Sequence, residues 1–218
     1  MPAKKTTRKT SAPTVVAYGG VEGLRPCIGL IELASIARGI ETADAALKQS
    51  AVDLLFARPT SPGKYFVLLT GEVEEVQESM ARGLEIAGDH LVDEAIIPAV
   101  EPSVFEALTA EDPEPELDAL GIIETFSIVS AIVAADRATK AASVRPLKLA
   151  LANGLGGKSY VLLEGGVADV ESAVAVGSAW PRERGLLVGQ VVIPRPHADL
   201  IAHLVGQDRR IALPRTLE

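Results

Sequence analysis

The feature that most constrains this chain is an internal duplication. Gly29-Leu30-Ile31-Glu32-Leu33-Ala34-Ser35-Ile36 returns as Gly121-Ile122-Ile123-Glu124-Thr125-Phe126-Ser127-Ile128, and Lys48 returns as Lys140. Gly63-Lys64-Tyr65-Phe66-Val67-Leu68-Leu69 returns as Gly157-Lys158-Ser159-Tyr160-Val161-Leu162-Leu163, and Ile96-Ile97-Pro98 as Val192-Ile193-Pro194. The offset grows from 92 (Gly29 to Gly121) through 94 (Gly63 to Gly157) to 96 (Ile97 to Ile193), as two small loop insertions require. A chain of 218 residues that repeats itself once is two small domains of one fold.

Hydrophobic periodicity gives the fold of each copy. Cys27–Leu33 is an apolar run too short for a buried helix, so it reads as a strand. Ser35 suits an N-cap, and the stretch after it sets Ile36, Ile40, Ala43 and Leu47 on one helical face. Val52–Arg58 and Lys64–Thr70 read as strands around the turn Pro59-Thr60-Ser61-Pro62-Gly63. Val73, Val76, Met80 and Leu84 mark a second helix, Leu91–Ile97 a fourth strand, and Pro102–Leu108 a short closing helix. The second copy is expected to repeat this with strands at 119–125, 145–152, 158–164 and 187–193 and helices at 127–142, 168–180 and 197–205. The class is therefore α/β (α+β), two tandem ferredoxin-like βαββαβ domains over 26–108 and 118–205. Between them, 109–117 is an acidic, proline-rich linker; 1–25 is a basic tail and 206–218 a second tail. Such a sheet carries helices on one face only, so its other face must be covered or must meet a partner.

Composition excludes several functions. A net charge of −8 repels a phosphate backbone and 4% aromatics leave little to stack on bases, so no nucleic-acid partner is expected. One cysteine, Cys27, allows neither an internal disulfide nor a cysteine metal site, and it reads as a small core residue. The basic start lacks the apolar run of a secretory signal and no stretch suits a bilayer, which points to a cytoplasmic protein with no membrane partner. Ala152-Asn153-Gly154-Leu155-Gly156-Gly157-Lys158-Ser159 approaches a phosphate-binding loop, but a strand rather than a helix follows it. His90, His197 and His203 share no ligand spacing. Glu32 and Glu124 lie inside strand-like runs with no nucleophile, so each needs a backbone amide or a cation as a structural partner. No catalytic residue, metal or cofactor is expected, and the chain does not read as an enzyme.

The motifs, twice and in this order, resemble the bacterial microcompartment (BMC) shell domain. The second copy carries Leu120-Gly121-Ile122-Ile123-Glu124-Thr125, Ala134-Ala135-Asp136, Gly156-Gly157 and Val192-Ile193-Pro194-Arg195-Pro196-His197. The first departs at Pro98-Ala99-Val100-Glu101. The resemblance is to tandem, trimer-forming shell proteins of the unpermuted type. It implies a homotrimer forming a six-domain tile that packs beside hexameric and pentameric shell proteins, in the shell of a cytoplasmic microcompartment. It implies a central pore for small metabolites, lined by Thr60, Ser61, Pro62 and Gly63 alternating with Gly154, Leu155, Gly156 and Gly157. It makes Lys48, Lys140 and Arg195 tile-edge residues, with Ala99 in place of a second arginine, so alternate edges differ. Some relatives hold an iron–sulfur cluster through cysteines on the pore loop; neither loop has one here. A second reading, a ferredoxin-like small-molecule-binding regulatory module, requires a pocket between the copies and no sheet-forming assembly.

Overall fold

The computed structural model describes residues 25–108, 117–152 and 154–205. The two tails, apart from Arg25, and nearly all of the linker lie outside the described residues. The first copy runs β1 (Cys27–Leu33), α1 (Ile36–Gln49), β2 (Asp53–Thr60), β3 (Lys64–Gly71), α2 (Val73–Ala87), β4 (Leu91–Ile97) and α3 (Pro102–Glu106). The second runs β5 (Ala119–Thr125), α4 (Ile128–Ala141), β6 (Val144–Leu151), β7 (Ser159–Gly165), α5 (Val167–Gly177), α6 (Ala179–Glu183), β8 (Leu187–Pro194) and α7 (Ala198–Val205). The sheets are antiparallel with order β2-β3-β1-β4 and β6-β7-β5-β8, the ferredoxin-like arrangement expected of the repeat.

Alternation along β1 divides two cores. Cys27, Ile31 and Leu33 pack with Val76 and Met80 of α2, and Gly29 leaves room for the Met80 side chain. Ile28 and Leu30 face the other way, into a cluster that also holds Phe66, Leu68, Ala95 and Phe105. That cluster runs on into the second copy through Ile128, Val129, Ile132 and Val133 of α4, which packs against β1 and β4. Helix α4 thus lies between its own sheet and the first copy, which is why it is apolar nearly all round. In the second copy, Leu120, Leu147 and Leu162 are covered by Leu117 and by Ile201 of α7. The folded second unit therefore already includes Leu117, which reads from sequence as linker.

Three further expectations are corrected. Of the stripe Ile36, Ile40, Ala43 and Leu47, only Ala43 is buried. The residues of α1 that meet the rest of the first copy are small ones, Gly39, Thr42, Ala43 and Ala46. The larger side chains point outward because Tyr65 lies against α1 at Gly39, leaving no space for them on that side. The single helix expected over 168–180 is two, α5 and α6. Pro181 has no N–H to offer the Gly177 carbonyl, and its ring crowds that carbonyl, so α5 ends at Gly177 and α6 begins at Ala179. Trp180 of α6 is then held between Arg137 and Arg184, 4.6 and 4.1 Å from the ring centre. Finally, β2 continues through Pro59 and Thr60. It is an edge strand, where a residue lacking N–H is tolerated.

Gly39 gives a test in which two effects oppose. Helix propensity alone favours alanine over glycine by about 1 kcal/mol. A Cβ at Gly39 would lie 2.4 Å from Tyr65 Cγ, inside a buried contact that cannot shift cheaply. Gly39→Ala should lower stability in urea unfolding by about 1 to 3 kcal/mol, the overpacking range; a stabilised variant would contradict the packing described.

Candidate functional site

The two β-hairpin loops form the candidate site. Ser61–Gly63 joins β2 to β3, and Ala152–Lys158 joins β6 to β7. Gly63, Gly154, Gly156 and Gly157 have φ of 101°, 74°, 62° and 87°, a region that side chains disfavour. Pro62, Gly63, Gly154 and Gly156 are exposed and Leu155 is half-buried. Gly157 is buried where the loops meet: a Cβ there would come within 2.6 Å of Pro62 Cδ and 3.3 Å of the Ser61 carbonyl oxygen. The two loops, which carry seven of the eight expected residues, thus meet at Gly157. The eighth, Thr60, closes β2 beside them and is buried.

Lysine 64 ties these loops to each other. Its Nζ lies 3.1 Å from Glu32 Oε1, 2.7 Å from the Phe126 carbonyl oxygen and 3.4 Å from that of Gly157. Glu32 is fully buried and its other oxygen accepts from the Ile128 amide at 2.8 Å, the first residue of α4. This is the backbone amide and cation that the sequence required for Glu32. Burial pushes the Glu32 carboxyl above its ordinary range, opposed by the Lys64 charge and by hydrogen bonds from Ser127, Lys64 and Ile128. Glu124 occupies the equivalent place in the second copy and pairs with Lys158 at 3.0 Å.

A second polar cluster on the junction was not read from the sequence. Asp93 is buried and accepts from Ser127 Oγ at 2.7 Å and Ser130 Oγ at 2.6 Å, with Arg184 Nη1 at 3.2 Å. Arg184 also reaches Glu94 at 3.1 Å. The available signal was Asp93 at an inward-facing position of β4, between Leu91 and Ala95.

The three expected edge residues lie at the other end of the helices and are not brought together. Lys140 donates to Asp136 at 2.8 Å and to the Ala99 carbonyl, so it meets the first copy's substitute for the arginine. Asp136 in turn accepts from the Glu101 amide at 2.8 Å. Lys48 is exposed and bonds only Asp44, at 2.6 Å, among the described residues. Arg195 is exposed with φ of 46°, its amide donating to the Asp118 carbonyl at 2.8 Å.

The remaining chemistry-bearing residues are structural in their surroundings. Cys27 is buried and its thiol is pushed up to about 11, by desolvation first and by Glu72 second, far from a reactive thiolate. The strand β7 follows Gly157-Lys158, so the glycine loop has no helix N-terminus at which to hold a phosphate. Among the described residues no three His, Cys, Asp or Glu side chains are grouped to hold a metal, and no helix is long and apolar enough to cross a membrane.

Two copies of the BMC domain match, at residues 27–100 and 119–196, which together make up most of the chain. The chain belongs to the BMC-domain family of bacterial microcompartment shell proteins. The shell protein PduT of Citrobacter freundii is 43% identical over 178 residues, covering 82% of this chain and 97% of that protein. The shell protein EutM of Escherichia coli is 39% identical over 84 residues, 38% of this chain and 84% of its own length, the span of a single copy. Among solved structures, a microcompartment protein from Desulfitobacterium hafniense is 52% identical, with a TM-score of 0.67 over 80% of this chain and 97% of that one.

The Glu32–Lys64 pair gives the second test. Lys64→Met leaves a fully buried carboxylate without its cation and should lower unfolding stability by about 3 kcal/mol. Adding Glu32→Gln removes the orphaned charge, so the double variant should recover more than half of the loss. Additive losses would show that the two side chains do not interact.

Proposed function

We propose that this BMC-domain protein builds microcompartment shell as a ring of three chains, a pseudohexameric tile with a central pore. The observation that carries the reading is a mismatch of exposure between equivalent residues. Ile128 and Ile132 on α4 are 1% exposed; their counterparts on α1, Ile36 and Ile40, are 39% and 55% exposed. Ala95 on β4 is 3% exposed, whereas Val191 on β8 is 51%; Val104 on α3 is 0% and Leu200 on α7 is 41%. Each chain therefore has one junction made, first copy receiving α4 of the second. It also carries both halves of a like junction unmade: an apolar α1 and an apolar β8–α7 surface. Joining α1 of one chain to the β8–α7 surface of the next is a head-to-tail contact, and such a contact either closes into a ring or runs on as a filament. With two copies in each chain, a ring of six copies closes after three chains.

Closing the ring brings three Ser61–Gly63 loops and three Gly154–Gly157 loops around one axis, where backbone must converge and side chains would collide. The opening is then edged by Ser61, Pro62 and glycine backbone, with amide donors suited to small polar or anionic metabolites. The outer rim carries two kinds of edge, one with Lys140 and Ala99 and one with Lys48 and Arg195. Through these the tile sits among hexameric and pentameric shell proteins. The role is structural and permeation-related, with no catalytic step.

Equivalent substitutions separate the made junction from the unmade one. Ile40→Asp should leave a folded chain whose light-scattering mass falls from three chains to one. Ile132→Asp places a charge in the shared core and should lower stability by at least ~3 kcal/mol. An Ile40→Asp protein that remains trimeric would overturn the ring described, and flux unaffected by enlarging Ser61 or Gly156 would overturn the pore.

A further inference from the structure

We infer that Lys64 and Lys158 are the positioning residues that set the aperture of the pore, Lys64 within a chain and Lys158 between chains. This rests on the reading of the hairpin loops as a pore. A loop of glycines at positive φ, exposed and with open space where a Cβ would stand at Gly63, Gly154 and Gly156, has few side chains of its own to hold it. Its position must come from outside. Within the chain the tie between the two kinds of loop is Lys64. Its three ammonium protons match three acceptors: Glu32 of its own copy, and the Phe126 and Gly157 carbonyls of the other. Gly157 belongs to the second loop, and Lys64 directly follows the first.

Lys158 repeats the arrangement with two of the three partners missing. It directly follows the second loop, and its Nζ is 3.0 Å from Glu124 as that of Lys64 is 3.1 Å from Glu32. Among the described residues its ammonium has no other partner, and its side chain is 43% exposed against 17% for Lys64. The repeat makes Ala34 and Gly63 the counterparts of Phe126 and Gly157. Ala34 and Gly63 are both exposed. A ring closed by the junction already present in the chain brings the Ala34 and Gly63 carbonyls of the next chain to Lys158, so that six lysine ties alternate with six loops. Each lysine is matched by its own glutamate, so the ties fix loop position without adding net charge to the opening.

The experiment compares the full-length trimer with its Lys158→Met and Lys158→Arg variants. It measures mass, amide hydrogen exchange in the two loops, and potassium chloride conductance after reconstitution in planar bilayers. In the wild type, the segment around Gly63 should be protected in the trimer. Lys158→Met should keep the three-chain mass, exchange about tenfold faster there, and lose the uniform single conductance level; Lys158→Arg should restore both. Lys64→Met should speed exchange around Gly157 whether or not the ring has formed. A Lys158→Met trimer with unchanged exchange and conductance overturns the inference and leaves the pore reading standing. A Lys158→Met chain that no longer forms trimers also overturns it, making Lys158 a residue that holds chains together. A wild-type trimer that conducts nothing overturns the pore reading itself, and the inference with it.

Discussion

Everything in this chain depends on one apolar contact, the seating of the first helix of one copy against the sheet of another. Each copy packs its two long helices on one side of its sheet and has only a short helix, α3 or α7, on the other, so each copy needs another to finish its core. The second copy supplies α4 to β1 and β4, and Ile28, Leu30, Ile128 and Ile132 become one cluster. Burying side chains of this size contributes roughly 1.5 to 3 kcal/mol each. Helix α1 has no such sheet to sit on within its own chain, so it keeps its isoleucines in water. The assembly proposed above is the same contact made once more.

The two kinds of junction are not equal in their polar chemistry. Within the chain, Asp93 is buried under Ser127, Ser130 and Arg184. Across from Glu124, where Asp93 stands across from Glu32, the second copy has Gly189, and Arg38 occupies the place of Ser130 on the helix. A carboxylate that must lose its water costs several kcal/mol unless its partners are already in position. A covalently fused junction has them in position as the chain folds. A junction that forms between separate chains must strip water from a finished surface, and a glycine there carries no such penalty. Duplication followed by divergence thus gives the junction inside the chain a second buried carboxylate, Asp93, that the proposed junction between chains lacks.

The sequence made the fold legible because the repeat doubled every signal. β1 and β4 fall where the apolar runs Cys27–Leu33 and Leu91–Ile97 end, and Ser35 caps α1 by accepting from the Arg38 amide. Glu32 and Glu124 were readable as carboxylates in need of partners, because a charge inside a strand leaves few alternatives. The burial of α1 was not legible. Helical periodicity identifies an apolar stripe but does not say which neighbour covers it. Here the inward side is built from Gly39, Thr42, Ala43 and Ala46, residues too small to dominate the pattern. The break at Ser178 was visible in Pro181, which lacks the N–H that an unbroken helix would donate to the Gly177 carbonyl. Lys64 was hidden for a different reason. Its three acceptors come from β1, the β5–α4 turn and the second hairpin loop, distances in sequence that no local pattern spans.

The central claim is that the junction inside the chain is repeated between chains. Electron cryomicroscopy of the assembled particle, at a resolution that shows side chains, tests it most directly. The account predicts that the Ile36 amide of one chain donates to Glu124 of the next, as Ile128 donates to Glu32 at 2.8 Å, with Ile40 buried against β8. Particles in which chains meet through other surfaces, leaving Ile36 and Ile40 in solvent, would contradict it.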